Sequence, residues 1–493
     1  MDIEELGRII KENGVVGAGG AGFPAYAKLD GRTDTIVLNC AECEPTLRLH
    51  RQLLKKFARE ILTMLTLLAE TVGAEQVIIA MKEEYKTTRE TLLAHLPDFP
   101  KVRIHLLEAV YPAGDEFVLI YETTKRVVAP GALPISVGVT VYNVETVFNM
   151  YRAVTAGKPV TDKAVSIQGE VVTPMTVKVP LGMTVEEVTA LAGGATINDP
   201  AYVLGGPMMG RLGSGMDRIT KTTNAILVLP KDHLVVQRKQ QNTSIDLKRA
   251  ASACCQCQTC TDLCPRNLLG HPIEPHRFMR SAANEDFRDT NVYLNTMFCS
   301  SCGLCELYAC PQGLSPRTLL TAYKNGLRQA GVKPPKRETE PIRTGATGEE
   351  IREYRKVPSA RLVARLDLSR YNKSAPLTAV DVTVGRVRLL LSQHIGAPAK
   401  PVVAAGDWVE RGQRIAAAAE GLSVPVHASV CGRVTEVTER YIEILSSPQP
   451  DGESRKTEAV LQPDGESRAI ETVRETEGNE EAVKVGGKDG ARP

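Results

Sequence analysis

The first 155 residues alternate between helical and extended hydrophobic patterns. Five large apolar residues recur at every fourth position and so share one face of a single predicted helix: Leu49, Leu53, Phe57, Ile61 and Leu65. A continuous apolar run over residues 77–81 predicts a buried strand, which a helix over 87–96 and a strand over 102–106 follow. This alternation is typical of an α/β domain built on a parallel sheet, expected here over residues 1–155.

Further along the chain the pattern changes twice. Short apolar runs with one helical stretch at residues 185–191 predict a small α+β domain over residues 160–240. Residues 376–448 consist of short apolar runs separated by glycines, which suits a small barrel or sandwich. A charged, proline-containing linker is expected over residues 326–375, and the polar segment 449–493 is predicted to be disordered.

Composition and charge exclude several classes of protein. With 493 residues, 43% of them hydrophobic, the chain can form several folded domains. Its 60 basic and 58 acidic residues nearly cancel, and no basic face with interleaved aromatic residues indicates a nucleic-acid partner. No run approaches the roughly 18 apolar residues of a transmembrane segment. Because the N-terminus is acidic and lacks the order of a signal peptide, a soluble, cytoplasmic protein is expected.

Nine of the twelve cysteines fall between Cys254 and Cys310, within a predicted module over residues 245–325. Such clustering in a chain without a signal peptide indicates metal binding rather than disulfides. Two runs have the spacings C-x2-C-x2-C-x3-C-P and C-x2-C-x2-C-x4-C-P. Their cysteines are Cys254, Cys257, Cys260 and Cys264, followed by Cys299, Cys302, Cys305 and Cys310.

This spacing predicts two 4Fe–4S clusters. Three thiolates two residues apart can hold three corners of a cubane, and the fourth cysteine, followed by proline, ligates the other cluster. One cluster is therefore assigned to Cys254, Cys257, Cys260 and Cys310, and the other to Cys264, Cys299, Cys302 and Cys305. Structural zinc sites are the alternative, although zinc does not require the Cys-Pro ending. Cys255 is expected to be a spare buried thiol.

Residues 17–24 read Gly-Ala-Gly-Gly-Ala-Gly-Phe-Pro, a glycine-rich loop early in the α/β domain. Glycines let backbone N–H groups approach a phosphate, but such loops often only make turns, and this one is not the G-x-G-x-x-G fingerprint that follows a strand. Three motifs follow: Asn-Cys-Ala-Glu-Cys-Glu-Pro at 39–45, Tyr-Pro-Ala-Gly-Asp-Glu at 111–116 and Asn-Val-Glu-Thr at 143–146. Together the four resemble the flavin- and NADH-binding subunit of respiratory NADH dehydrogenase, which implies a Rossmann-like domain.

Carried over onto these motifs, the resemblance implies two groups of contacts. FMN would lie near Gly19, Gly20, Gly22, Lys28, Asn39, Asn143 and Thr146. The nicotinamide nucleotide would face Glu44, Asp115 and Glu116. The chain departs from the family at Leu29, where an aromatic residue is usual, and at Cys40 and Cys43, which replace non-thiol residues. These two cysteines are a redox pair, half a metal site, or small packed residues that line a flavin loop, and we favour the last interpretation.

The remaining motifs resemble two related families. The glycine loop 205–210, the cysteine module and segment 393–398 resemble the C subunit of the Rnf-type electron transport complex, which carries its barrel-sandwich domain at the N-terminus. A C-terminal barrel, the longer second cysteine gap and residues 357–362 are similar to PduS-type cobalamin reductases of propanediol-utilisation microcompartments. The resemblance implies a β-grasp domain of the SLBB type and a barrel-sandwich hybrid domain. His394 and His427 are candidate cobalt ligands, although packed histidines are the favoured interpretation.

These resemblances imply an NADH-dependent flavin and iron–sulfur oxidoreductase. Electrons would pass from NADH through FMN and two 4Fe–4S clusters to an acceptor, implied to be cobalamin, and no residue would act as a general acid or nucleophile. The alternatives are an Rnf-like subunit on a membrane complex and a non-catalytic relay or scaffold. The implied partners are NADH, cobalamin or a redox protein, and microcompartment shell proteins or cobalamin-dependent enzymes. The implied location is the cytoplasm or the interior of a bacterial microcompartment.

Overall fold

A computed structural model describes residues 1–20, 22–240, 242–335 and 349–447. The segment 449–493, expected to be disordered, and the central part of the expected linker lie outside the described residues. None of the helices in the described ranges combines the length and the apolar character that a membrane span requires.

The N-terminal unit is an α/β domain around a parallel sheet. Its elements are the helices α1 (Ile3–Glu12), α2 (His50–Lys56), α3 (Ala58–Val72), α4 (Lys86–His95), α5 (Glu116–Thr124) and α6 (Val144–Ala156), and the strands β1 (Thr35–Cys40), β2 (Gln76–Lys82), β3 (Val102–Leu107), β4 (Val110–Tyr111) and β5 (Val139–Asn143). The sheet order is β3-β2-β1-β5 with all neighbours parallel, which confirms the predicted layout. β1 and β2 are almost wholly buried, which accounts for their continuous apolar sequences.

The single helix predicted from the four-residue repeat is wrong, because two helices occupy this stretch. The backbone leaves helical geometry at Phe57, where φ is −121° and ψ is 39°. The Phe57 ring stacks on Phe148 with 4.1 Å between ring centroids. The bend therefore directs the Phe57 ring onto α6. The four-residue spacing of apolar residues does not predict this tertiary contact.

The second unit, over residues 162–229, is a mixed sheet with one helix. Its elements are β6 (Asp162–Gly169), β7 (Met175–Pro180), α7 (Val185–Leu191), β8 (Ala201–Leu204), β9 (Arg211–Gly213) and β10 (Ala225–Leu229). α7 begins at a capping box in which Thr184 and Glu187 satisfy each other's backbone N–H groups. The predicted strands and helix are present, whereas the short strands β8 and β9, on either side of the glycine turn 205–210, were not predicted.

The third unit is helical and surrounds the two cysteine runs. Its helices are α8 (Leu234–Lys239), α9 (Thr243–Ala253), α10 (Thr259–Asp262), α11 (Pro275–Ala283), α12 (Asn291–Leu294) and α13 (Pro316–Gln329). Phe278 and Leu319 are fully buried in a core against which Cys254, Cys299 and Cys310 pack. The helices therefore present cysteines of both runs to one shared core.

The described part of the expected linker is packed rather than open. It contains α14 (Glu349–Tyr354), β11 (Val357–Pro358), α15 (Ser359–Arg365) and β12 (Leu377–Thr378). β11 pairs with β4, and β12 extends the second sheet to the order β12-β7-β6-β10-β8-β9. Arg352 forms an ion pair with Glu122 of α5, so the charges that suggested a linker bind this segment to the N-terminal unit.

The C-terminal unit is a sandwich of two small sheets, as the glycine-punctuated pattern predicts. Its strands are β13 (Arg386–Leu390), β14 (Lys400–Pro401), β15 (Trp408–Val409), β16 (Arg414–Ala417), β17 (Val426–His427), β18 (Gly432–Val437) and β19 (Tyr441–Ser446). One sheet has the order β13-β19-β18-β15 and the other β14-β16-β17. A buried hydrogen bond of 2.7 Å from Ser429 Oγ to the carbonyl of Leu181 joins this sandwich to the second unit.

Candidate functional site

A cavity of about 780 Å³ lies between the N-terminal unit, the second sheet and the cysteine module. All ten residues that the resemblance assigns to FMN and the nicotinamide nucleotide line it: Gly19, Gly20, Gly22, Lys28, Asn39, Glu44, Asp115, Glu116, Asn143 and Thr146. The opposite wall includes the turn 205–210, and Ser300 and Cys302 of the cysteine module also line it. The volume is in the range of cofactor sites. One cavity therefore connects the glycine loop to a predicted cluster ligand.

The glycine loop has no room for side chains at two positions. A Cβ on Gly19 would lie 3.0 Å from the side-chain nitrogen of Asn143, and a Cβ on Gly22 would lie 3.0 Å from the methyl group of Thr222. Gly22 also has a φ of +67°, which favours glycine. The N–H of Ala18 donates to Thr146 Oγ1 at 2.9 Å and holds the loop to α6. The loop therefore forms a bare backbone cradle, which fits a phosphate-bearing cofactor.

Polar side chains converge where two parallel strands end. Asn39 and Asn143 are register partners at the carboxyl ends of β1 and β5, the edge at which α/β sheets bind ligands. Asn39 donates to the carbonyl of Gly114 at 3.0 Å, and Asn143 Oδ1 accepts from the first turn of α6 at 3.0 Å. Lys28 Nζ donates to Glu116 at 3.0 Å. This network fixes donors and acceptors at the cavity wall before any ligand binds.

The three acidic residues that were predicted to face the nicotinamide nucleotide differ in how accessible their carboxylates are. The carboxylate of Glu44 accepts from the N–H groups of Met208 and Met209 at 2.8 Å each, so it holds the turn 205–210. Burial raises the pKa of Glu44. Asp115 pairs with Arg266 at 3.0 Å and caps α5, and its side chain is 7% exposed. Glu116, with 37% of its side chain exposed, is therefore the most accessible of the three acids.

Cys40 and Cys43 have separate surroundings. Cys40 is fully buried in the main core at the end of β1, whereas Cys43 lines the cavity and packs against a second core that contains Tyr111. Burial raises the pKa of the Cys43 thiol to about 12, so it is not a ready nucleophile. These contacts favour packed residues over a redox pair.

The predicted ligands line two small cavities. Cys264, Cys299, Cys302 and Cys305 line one, which we call the inner site. Cys254, Cys257, Cys260 and Cys310 line the other, which we call the outer site. The last cysteine of each run thus lies with the first three of the other run. Within the described residues, no three His, Cys, Asp or Glu side chains converge as the ligands of a single metal ion would.

Both sites have the donor set that an iron–sulfur cluster requires. Four predicted ligand thiols line each cavity, and N–H groups point at the sulfurs, as from Ser301 to Cys299 Sγ and from Leu314 to Cys310 Sγ, each at 3.3 Å. Burial raises the pKa of Cys264 to about 12, so this thiol would ionise on binding iron and not before. The chemistry of these donors fits a 4Fe–4S cluster at each site.

The inner site borders the cavity of about 780 Å³, because Cys302 lines both. The hydroxyl of the buried Tyr111 donates to the carbonyl of Cys302 at 2.5 Å. Arg266, two residues after Cys264, pairs with Asp115 and lies over the ring of Phe117 at 3.8 Å. Sequence reasoning missed Arg266, because nothing local marks a partner 151 positions away. Tyr111 could have been found, since it opens the third quoted motif.

The outer site adjoins the inner site and reaches the surface. Burial, then the neighbouring thiols, including Cys260 of the outer site, raise the pKa of Cys305. Cys257 is exposed, whereas Cys302 and Cys305 are each 8% exposed. Cys255, expected to be a buried spare thiol, is instead exposed and lines the outer cavity.

Of the two histidines in the C-terminal unit, His394 is hydrogen-bonded and His427 is buried. His394 has its Nδ1 3.1 Å from the carbonyl of Ile395, and its Nε2 accepts from the N–H of Val424 at 3.4 Å. His427 is 5% exposed, and burial lowers its pKa to about 3. These contacts favour packed histidines over cobalt ligands.

Four parts of the chain match known protein domains. Residues 10–152 match the Nuo51 FMN-binding domain, and residues 164–212 match the SLBB domain. Residues 253–315 match a 4Fe-4S dicluster domain, and residues 370–464 match the RnfC barrel sandwich hybrid domain. The expected fold class, with a β-grasp domain of the SLBB type between flavin-type and cluster-binding units, is confirmed.

Two relatives carry the name cobalamin reductase PduS. The protein from Citrobacter freundii is 43% identical over 446 residues, which is 90% of this chain and 97% of the relative. The protein from Salmonella typhimurium strain LT2 is 42% identical over 447 residues, with the same coverage. Among solved structures, an NAD+-reducing NiFe-hydrogenase in the H2-reduced state matches with a TM-score of 0.45 at 18% identity, over 68% of this chain and 64% of that one.

Proposed function

This chain belongs to the family of the PduS cobalamin reductases, and on that premise we propose that it is an iron–sulfur flavoprotein that passes electrons from NADH to cobalamin. The observation that carries the proposal is the single cavity of about 780 Å³ that reaches from the glycine loop to Cys302. A donor that binds over the loop is thereby brought next to a cluster ligand.

The residues around the loop would hold FMN. Gly19, Gly20 and Gly22 leave backbone open for a phosphate, and Lys28 brings a cation to the cavity wall. Asn143 and Thr146 would complete the site, because both already fix the loop and the start of α6. When bound, FMN would accept hydride and release single electrons, which the clusters would carry.

The acidic residues divide between binding and support. Glu116 would contact the nicotinamide nucleotide, because its carboxylate borders the open cavity. Glu44 would support the site by holding the turn 205–210, and Asp115 would do so by holding Arg266. No side chain needs to act as a general acid or nucleophile, since the protein positions the redox groups.

The two cysteine sites would each hold one 4Fe–4S cluster, with the inner site first in the electron path. Cys302 lines the flavin cavity, and the exposed Cys257 lies at the surface. Cobalamin would therefore be reduced, one electron at a time, at the face of the outer site. We propose a cytoplasmic location, including the interior of a microcompartment, where shell proteins or cobalamin-dependent enzymes would be neighbours.

An anaerobic NADH titration of the cluster-reconstituted, FMN-loaded protein tests the proposal. NADH should bleach the flavin and produce the EPR signal of reduced clusters, and added cobalamin should reverse both. Iron analysis should give about eight iron atoms per chain. If dithionite reduces the clusters while NADH leaves flavin and clusters unchanged, the protein is a relay with another donor.

The second candidate function is an Rnf-like subunit that delivers electrons to a membrane complex. The match of residues 370–464 to the RnfC barrel sandwich hybrid domain favours it. Copurification from native membranes with other electron carriers, together with an absence of cobalamin turnover, would select this function over the first.

A further inference from the structure

A buried lysine lies where three units of the protein meet. Lys221, on the turn before β10, is 2% exposed. Its Nζ donates to the carbonyl of Gly14 in the N-terminal unit at 2.7 Å and to the carbonyl of Pro425 in the C-terminal unit at 3.2 Å. Among the residues that the structure describes, no carboxylate forms an ion pair with it.

Such a lysine is costly to bury. An ammonium group without a counter-charge loses its hydration, and two carbonyl oxygens replace only part of it. Burial accordingly lowers the pKa of Lys221 to about 7. The ring of His427 faces the same space, and its Nδ1 has no hydrogen-bond partner among the described residues. Because the two carbonyls belong to the N-terminal and the C-terminal unit, the lysine fixes the position of these two units relative to each other.

The contacts continue from Lys221 to the glycine loop. The backbone N–H of Lys221 donates to the side chain of Gln393 at 3.1 Å. Two residues further on, the N–H of Ile395 donates to the carbonyl of Gly22 at 3.1 Å. A Cβ on Gly22 would lie 3.2 Å from the Cα of His394. The segment 393–395 of the C-terminal unit therefore forms the outer support of the glycine loop.

We propose that Lys221 is a positioning residue for the flavin: its Nζ fixes the C-terminal unit to the N-terminal unit at Pro425 and Gly14, its backbone N–H holds Gln393, and segment 393–395 is thereby kept against the glycine loop as part of the FMN site. The inference rests on the proposed binding of FMN to this loop. Lys221 itself does not line the cavity, so its effect is exerted through Gly22.

The test compares FMN affinity in two full-length, cluster-reconstituted variants. Lys221→Met keeps an unbranched side chain of similar bulk and removes the Nζ donor to Gly14 and Pro425, so the dissociation constant of FMN, measured by fluorescence quenching, should rise about tenfold or more. Excess FMN should restore NADH-driven cluster reduction, which a merely unfolded unit would not allow. The control is Ser429→Ala, which removes a buried bond between the same C-terminal unit and the second sheet, away from the loop. It should lower the melting temperature and leave FMN affinity unchanged.

A second variant covers the case in which Lys221→Met does not fold. Gln393→Leu removes the acceptor of the Lys221 N–H and should weaken FMN binding about threefold. Wild-type FMN affinity in both variants overturns the inference, as does equal weakening by Ser429→Ala. If the wild-type protein itself does not bind FMN, the proposed function falls and the inference falls with it, so the two failures are distinguished by the wild-type titration.

Discussion

The inner and outer cysteine sites have nearly the same local sequence and very different surroundings. Each begins with C-x2-C-x2-C and takes its fourth cysteine from the other run. The inner site lies against the flavin cavity, with Cys302 and Cys305 buried, whereas Cys257 of the outer site is exposed. The motif therefore specifies how a cluster is held, and tertiary contacts decide its place in the electron path.

The charges around the two sites differ as well. The inner site has two cations close by: Arg266 follows Cys264, and Lys324 Nζ donates to the carbonyl of Cys299 at 2.5 Å. At the outer site, the side chain of Gln256 donates to Cys254 Sγ at 3.1 Å, and the hydroxyl of Thr259 donates to Cys257 Sγ at 3.4 Å. Because positive charge favours the reduced cluster, these two cations should raise the potential of the inner cluster.

The largest expected effect comes from removing an inner ligand. Cys302→Ser should abolish the inner cluster and lower NADH-driven cobalamin reduction by more than about a hundredfold, because the cavity then borders no acceptor. EPR should show an outer cluster that dithionite reduces and NADH does not. The control is Cys255→Ser, which should keep the full iron content. Normal NADH-driven turnover in Cys302→Ser would contradict the assigned order.

Removing an outer ligand should produce the opposite pattern. In Cys257→Ser, NADH should still bleach the flavin and reduce the inner cluster, while cobalamin reduction falls about tenfold or more, because the surface-facing cluster is lost. Stopped-flow absorbance separates the two steps. If flavin bleaching slows as much as cobalamin reduction does, the outer site is not the exit.

The ion pair between Arg266 and Asp115 should matter more for stability than its surface counterparts. Both side chains are mostly buried, at 13% and 7% exposure. Arg266→Gln leaves the Asp115 carboxylate unpaired, so the free energy of unfolding should fall by about 3 kcal/mol in chemical denaturation. The double variant with Asp115→Asn should recover part of this loss. Additive losses would show that the two residues are not coupled.

Acid should lower the stability of the folded protein through the buried His271. His271 Nε2 donates to the carbonyl of Val128 at 3.0 Å, and burial lowers its pKa from 6.5 to about 4. Between these values the unfolded chain binds a proton that the folded chain does not, so stability falls as the pH drops from 6.5 to 4 and is fully present above 6.5. His271→Gln should reduce this loss by about 3 kcal/mol at most. Identical acid denaturation curves for the two proteins would refute the prediction.

Features that depend on local sequence signals could be predicted, whereas features that depend on tertiary contacts could not. Cysteine spacing is a local property, so the grouping of Cys264 with Cys299 could be inferred, and the apolar run 77–81 marked a strand of the parallel sheet. The pairing of β11 with β4 and the burial of Lys221 depend on residues far apart in sequence. No periodicity encodes such contacts. The packing of the expected linker and the burial of Lys221 therefore could not be predicted from the sequence.

The place of the barrel unit in the chain illustrates the same difference between sequence signals and tertiary contacts. The Rnf-type C subunit that some motifs resemble carries this unit at its N-terminus, and the sequence predicts it to come last in this chain. In the structure it contacts the N-terminal unit directly, through the bond from Tyr26 to the carbonyl of Gly421 at 3.4 Å and through the bond from the N–H of Ile395 to the carbonyl of Gly22 at 3.1 Å. The barrel therefore packs against the N-terminal unit although the two are far apart in the sequence.

The smallest expected effect concerns the potential of the inner cluster alone. Lys324 is partly buried beside Cys299, and burial lowers its pKa while the nearby thiol opposes that shift. Lys324→Met should lower the midpoint potential of the inner cluster by tens of millivolts in an EPR-monitored redox titration, because the reduced cluster loses a stabilising cation. The outer cluster should not change, and the exposed Lys248→Met on α9 provides the matched control. Equal shifts at both clusters would mean that the lysine acts through overall charge, and the electrostatic distinction between the two sites would then be lost.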